Sequence, residues 1–154
     1  MANYHLAQLN TATALASLDS PVMQEFVDNL ERINSLGESF PGFIWRMKDD
    51  TGNATGIPVY NDPDIIANLT VWRDPESLKS FLFKTEHAHF LKRKKEWFKA
   101  VKEATYVLWW IPQGHIPTLS EAKDKLAYLR TYGDTASAFS FKKLLTPTQA
   151  MEAQ

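Results

Sequence analysis

Residues 105–111, Thr-Tyr-Val-Leu-Trp-Trp-Ile, are β-branched, aromatic or aliphatic at every position and are closed off by Pro112 and Gly114. Successive side chains of a strand point to opposite faces, so a run that is apolar throughout has to be covered on both sides. This stretch is expected to be a central strand, and the rest of the chain must supply its neighbours and its cover. Three further stretches read as strands. Residues 4–9 (Tyr-His-Leu-Ala-Gln-Leu) are short and mostly apolar. Residues 43–48 place Phe43, Trp45 and Met47 on one face and Ile44, Arg46 and Lys48 on the other. The last stretch is 65–73.

Between these lie helical patterns. Val22, Phe26, Val27, Leu30, Ile33 and Leu36 recur at spacings of three and four, with Asp19 or Ser20 as cap and Gly37 as stop. Asp74 caps a second helix that opens with Pro75 and carries Leu78, Phe81 and Leu82 on one stripe. After a break near Thr85, helical spacing runs on through His87, Phe90, Leu91, Lys94, Phe98 and Val101. Thr118 to Glu121 forms a capping box for a helix through Leu126 and Leu129 that Gly133 ends. Residues 49–53 and 61–64 have turn compositions, and 138–141 are expected to add an edge strand before a polar tail over 142–154.

The order β-α-β-β-α(α)-β-α is that of a ferredoxin-like α+β fold, a split βαβ arrangement with a four-stranded antiparallel sheet and helices on one face. If helices cover one face only, the apolar second face of strand four and Ile44 need a partner. A second copy stacked face to face is expected, as a two-fold homodimer. A length of 154 residues suits one domain, spanning 1–141.

The formal net charge is −1, with no field that attracts nucleic acid or a membrane, so neither is expected as a partner. Charge is segregated, however: residues 1–78 sum to −7 and residues 79–102 to +6, centred on Lys92-Arg93-Lys94-Lys95. Four consecutive residues point all round a helix, which favours a solvated face over a one-sided phosphate strip. The absence of Cys removes disulfides, thiolate metal sites and Cys nucleophiles, and no apolar run or charged leader marks a span or a signal peptide, so a cytoplasmic location is the default. Phosphate loops, His-Glu-x-x-His and Gly-x-Ser-x-Gly are also absent, which disfavours kinases, nucleotide-dependent dehydrogenases and common hydrolases.

Several segments together resemble a known family: Tyr4-His5-Leu6-Ala7-Gln8, Gly42-Phe43-Ile44-Trp45-Arg46, Asn68-Leu69-Thr70-Val71-Trp72, His87 with Trp97-Phe98, and Leu108-Trp109-Trp110-Ile111-Pro112 through Gly114-His115 and Pro117-Thr118. They are similar to a bacterial family of unknown function within the dimeric α/β barrel superfamily, which includes the antibiotic-biosynthesis monooxygenases. The resemblance implies a pocket between sheet and helices for a small apolar or aromatic molecule. The superfamily's chemistries there are cofactor-free oxygenation of electron-rich aromatics, small isomerisations, or haem held by a helix-borne His. A non-catalytic ligand-binding or interaction module is the third reading.

Candidate residues follow from residue chemistry. His87 falls on the apolar stripe and is the candidate proton-transfer group; in the haem alternative His87 or His89 is the axial ligand. His89 is two positions on, about 200° round a helix, so the pair does not share a metal and none is expected. Arg46 and Asn68, polar within strands, would polarise a carbonyl or hold an enolate. Trp72, Trp97 and Trp110 would shape a flat cavity, and His5 and His115 would line or rim it.

Overall fold

The computed structural model describes residues 3–48, 62 and 64–147. The turn expected at 49–53 and the end of the tail, 148–154, lie outside them. Four strands, β1 (Tyr4–Thr13), β2 (Phe43–Arg46), β3 (Ile65–Trp72) and β4 (Tyr106–Pro112), form one antiparallel sheet in the order β2-β3-β1-β4. That is the ferredoxin-like order. Among the described residues four α-helices accompany the sheet: α1 (Gln24–Glu38), α2 (Pro75–Lys84), α3 (His87–Lys92) and α4 (Leu119–Tyr132). No helix among the described residues is long and apolar enough to cross a membrane.

β4 sits at an edge of the sheet rather than in the middle, yet both of its faces are buried as its composition requires. Tyr106, Leu108 and Trp110 point into a cluster with Leu6, Trp72, Leu78 and Phe81 beneath α1 and α2, and Val107, Trp109 and Ile111 into a second cluster with Ala122, Leu126 and Leu129 of α4. Helices therefore lie on both faces, not one. The pattern of α4 shows an apolar stripe but not which side of the sheet it meets; here it crosses β4 and β1 on the face opposite α1 and α2. Trp45 and Met47 of the β2 arm pack against the same cluster. The bare face that motivated a stacked homodimer is thus occupied, over β1 and β4, by the chain's own last helix. The outer edge of β4 is met by the short pairing Leu108–Phe139, which replaces the edge strand expected over 138–141.

β1 runs past Leu9 to Thr13 because its polar end continues the ladder, pairing Asn10 with Asn68 and Thr13 with Ile65. β2 carries a bulge between Phe43 and Trp45, leaving Ile44 outside the ladder. Phe43 consequently turns to the α1–α2 face while Trp45 and Met47 turn to the α4 face, so these three do not share a face.

Helical boundaries differ in informative ways. Gly37 is not a stop but a buried residue in the last turn of α1, where a Cβ would stand 3.2 Å from the Phe81 ring. Gly42, at φ 91°, is the true punctuation; a side chain there would collide with Ser77 at the start of α2. Chain extension at Thr85 separates α2 from α3, as expected. The helical spacing beyond does not persist to Val101. After a 3₁₀ turn at Lys94–Glu96, Trp97 is buried with Met23 and Ala14, and the backbone joins the end of β1 through Leu15 N–H to Trp97 O (2.7 Å) and Lys99 N–H to Thr13 O (2.8 Å). Two consecutive rings, Trp97 and Phe98, both face inward there.

Candidate functional site

On the α1–α2 face a row of polar side chains crosses three strands in register: Arg46 of β2, Thr70 of β3 and Gln8 of β1. Thr70 Oγ1 donates to Gln8 Oε1 (2.7 Å) and accepts from Trp72 Nε1–H (2.9 Å). All three of these residues are buried. The next register pairs Asn10 with Asn68, and Asn68 is exposed on that same face. The row is thus buried at its centre and open towards the N-terminal end of β3. Gln8 and Thr70 escaped the sequence reading; the available signal was their placement as polar residues two positions from Leu6 and Trp72 in otherwise apolar strands.

Arg46 has only 9% of its side chain exposed. Its Nε and Nη2 donate to Glu38 Oε1 at 2.9 and 2.8 Å, and Lys48 Nζ donates to Glu38 Oε2 at 2.9 Å. The hydrogen bonds from Lys48 and Arg46 hold the Glu38 carboxyl below its ordinary range, so it is ionised at neutral pH. Both cations meet Glu38 beside a shallow depression of about 420 Å³ lined by Glu38, Phe43, Trp45, Arg46 and Lys48. Glu38 and Lys48 are functional candidates that spacing alone did not reveal, since they meet only because the end of α1 lies against β2. Cationic side chains beside the Phe43 and Trp45 rings suit a flat molecule carrying a carbonyl, enolate or carboxylate oxygen.

His87 stands elsewhere. It opens α3, its ring packs 5.0 Å from Phe81, and Nδ1 is buried without a hydrogen-bond partner among the described residues. Burial lowers its pKa below the usual histidine value, against an opposing contribution from the Leu82 backbone carbonyl, so the ring is neutral at pH 7. Phe81 in turn stacks on Trp72 (5.4 Å, 26°), and the contact of His87 is with this aromatic column rather than with Arg46 or Asn68. A histidine held neutral in the fold gains a proton more readily once unfolded, so it lowers stability as pH falls below about 6.5. We expect the urea midpoint of the native chain to fall between about pH 7 and pH 5 more steeply than that of His87→Phe. Equal slopes in the two proteins would contradict the burial of this ring.

His89 faces outward, as expected, edge-on to Phe90 and 3.3 Å from Arg93 Nη1. The His87 ring is bordered by Phe81, His89 is engaged at the surface by Arg93, and neither lines the depression beside Arg46 or the one beside Ser77.

The other expected pocket residues are dispersed. Trp72 is 2% exposed within a ring of Phe40, Phe43 and Phe81. Trp97 belongs to the separate small cluster with Met23, and Trp110 donates its indole N–H to the Leu145 carbonyl (2.8 Å), drawing the start of the expected tail onto the sheet. These rings fill the layer rather than line a common cavity. His5 lies opposite Ile111 on the α4 face. His115 is on that side too, with Nε2 2.8 Å from Glu121 Oε1, while Glu121 Oε2 accepts from Trp109 Nε1–H (2.9 Å). The sheet register thus places the two expected polar residues, Arg46 and Asn68, on one face.

Residues 5–154 match the family model described as Domain of unknown function (DUF3291). No curated protein matches the sequence. Solved structures with a similar fold include a Pseudomonas aeruginosa protein (14% identity, 76% of this chain and 99% of that chain, TM-score 0.46). A Nitrosomonas europaea protein of unknown function is similar at 11% identity (77% and 97%, TM-score 0.46). A Streptomyces coelicolor monooxygenase solved in complex with nanaomycin D is similar at 13% identity (76% and 93%, TM-score 0.39).

Proposed function

The chain belongs to the DUF3291 family of unknown function, and we propose that it is an enzyme acting on a small aromatic ketone or its enolate by oxidation or rearrangement without a nucleotide cofactor. The observation that carries this reading is the polar row Arg46–Thr70–Gln8, set into the otherwise apolar α1–α2 face with Asn68 open beside it. Arg46, fixed by Glu38, supplies a charge where a substrate oxygen becomes negative, and the Asn68 amide donates a second hydrogen bond. Phe43 provides an apolar wall for the ring system, with Trp45 at the strand edge. His87 is assigned to packing on Phe81 rather than to proton transfer. In the oxidative form the substrate is its own reductant: an activated methylene and dioxygen give a carbonyl and water.

Anthrone, a fused aromatic ketone with an acidic methylene, is a direct probe. Dioxygen uptake above the buffer rate is expected, falling at least about tenfold in Arg46→Met and in Asn68→Ala, since removal of one oxyanion donor costs 10²–10³ in fully developed sites. Uptake at the buffer rate, or uptake unchanged in both variants, would overturn the proposal. The packing of Trp72 and Trp97 favours a second reading, a binding protein without turnover; anthrone bound at this face with no oxygen consumed would identify it.

A further inference from the structure

The net charge of −1 hides a local imbalance that the fold sharpens. Segment 92–102 carries Lys92, Arg93, Lys94, Lys95, Lys99 and Lys102 against a single acid, Glu96. Arg93 points inward: its guanidinium lies 4.8 Å over the Trp97 ring, bonds both oxygens of Glu25 on α1, and takes Glu96 as well. The next acid along the chain, Glu103, is paired with Arg130 (3.4 Å). The arginines thus consume the local carboxylates, and the five lysines, all exposed, make no ion pair among the described residues.

This charge is displayed from a firm base. Trp97 is buried in the small core with Met23 and Ala14, Phe98 bridges to Ala14, and Lys99 N–H bonds Thr13 O. Apolar side chains stand at the same place: Val101 is 40% exposed and Leu15, whose N–H bonds Trp97 O, is 44% exposed. We propose that the outer side of segment 92–102, together with Leu15, is a docking surface for an anionic lipid bilayer. Lysines reach the phosphate and carboxylate headgroups while Leu15 and Val101 enter the interfacial region. A nucleic acid fits less well, because the segment's rings, Trp97 and Phe98, are turned inward and offer no platform for bases.

The test uses the full chain and sedimentation with vesicles of phosphatidylcholine, alone or mixed with phosphatidylserine. Binding to the mixed vesicles only, weakened by added salt, is expected. With roughly fivefold per lysine at a membrane surface, Lys94→Gln/Lys95→Gln/Lys99→Gln should bind about 100-fold more weakly, and Val101→Asp should weaken binding without altering bulk charge as much. Lys142→Gln/Lys143→Gln, away from the segment, should bind as the native chain does. Equal binding to neutral vesicles, no binding to either, retention by the triple variant, or duplex DNA displacing the protein from the vesicles would overturn the proposal, the last in favour of nucleic acid.

Discussion

Replacing Leu126 by aspartate is expected to unfold the chain. Leu126 is fully buried in α4, against Val107, Trp109 and Ile111 of β4 and Ala7 and Leu9 of β1. Truncation of such a leucine to alanine costs about 3–5 kcal/mol, and an unpaired buried carboxylate adds to that, against a total stability of about 5–15 kcal/mol for a domain. Far-UV circular dichroism at 25 °C should report loss of the native spectrum. Ala127→Asp, one residue on and exposed, is the control and should fold. If Leu126→Asp folded with native stability, α4 would not lie on this sheet face, and a partner would again be needed to cover it.

A second large effect is expected at Trp72. Its ring stacks on Phe81, meets Phe43 edge-on at 5.4 Å, and its N–H ends the chain of hydrogen bonds through Thr70 to Gln8. Trp72→Ala should lower the unfolding free energy by about 3–5 kcal/mol. Trp72→Phe keeps much of the packing and gives up the indole donor, so a loss of about 1 kcal/mol is expected. Urea unfolding followed by far-UV circular dichroism separates the two. Near-native stability of the alanine variant would mean that the ring lines open space rather than filling the layer.

The strands and most helices were legible because periodicity and caps are local signals. Asp74 accepting from Ser77 N–H, Thr118 from Glu121 N–H and the break at Thr85 are all encoded within a few residues. Three features depended on contacts distant in sequence. The bulge that sends Phe43 and Trp45 to opposite faces has no composition mark, since Ile44 is an ordinary strand residue. The side chosen by α4 depends on the route of the connection after Pro112, and the stripe of Leu126 and Leu129 is the same whichever face receives it. Segment 94–101 has helical spacing, but backbone pairing with the end of β1 overrides it.

The candidate site was legible to the same extent. Arg46 and Asn68 stand out as polar residues in strands, and the sheet register brings them to one face. Glu38, which fixes Arg46, becomes visible only when α1 is laid against β2. The tryptophans were ambiguous because composition cannot tell a ring that fills a layer from one that walls a cavity. Trp97 lies in a separate small cluster, whereas Trp72 and Trp110 fill one layer beneath α1 and α2, each indole N–H with its own acceptor.

Binding of substrate at the polar end of the α1–α2 face is visible in the amide resonances of the ¹⁵N-labelled chain as anthrone is added. Shifts confined to the backbone amides around Arg46, Asn68 and Asn10 and to the Asn68 side-chain amide are expected. Shifts centred on His115 and Glu121 across the sheet, or no shifts at saturating probe, would contradict binding at this end.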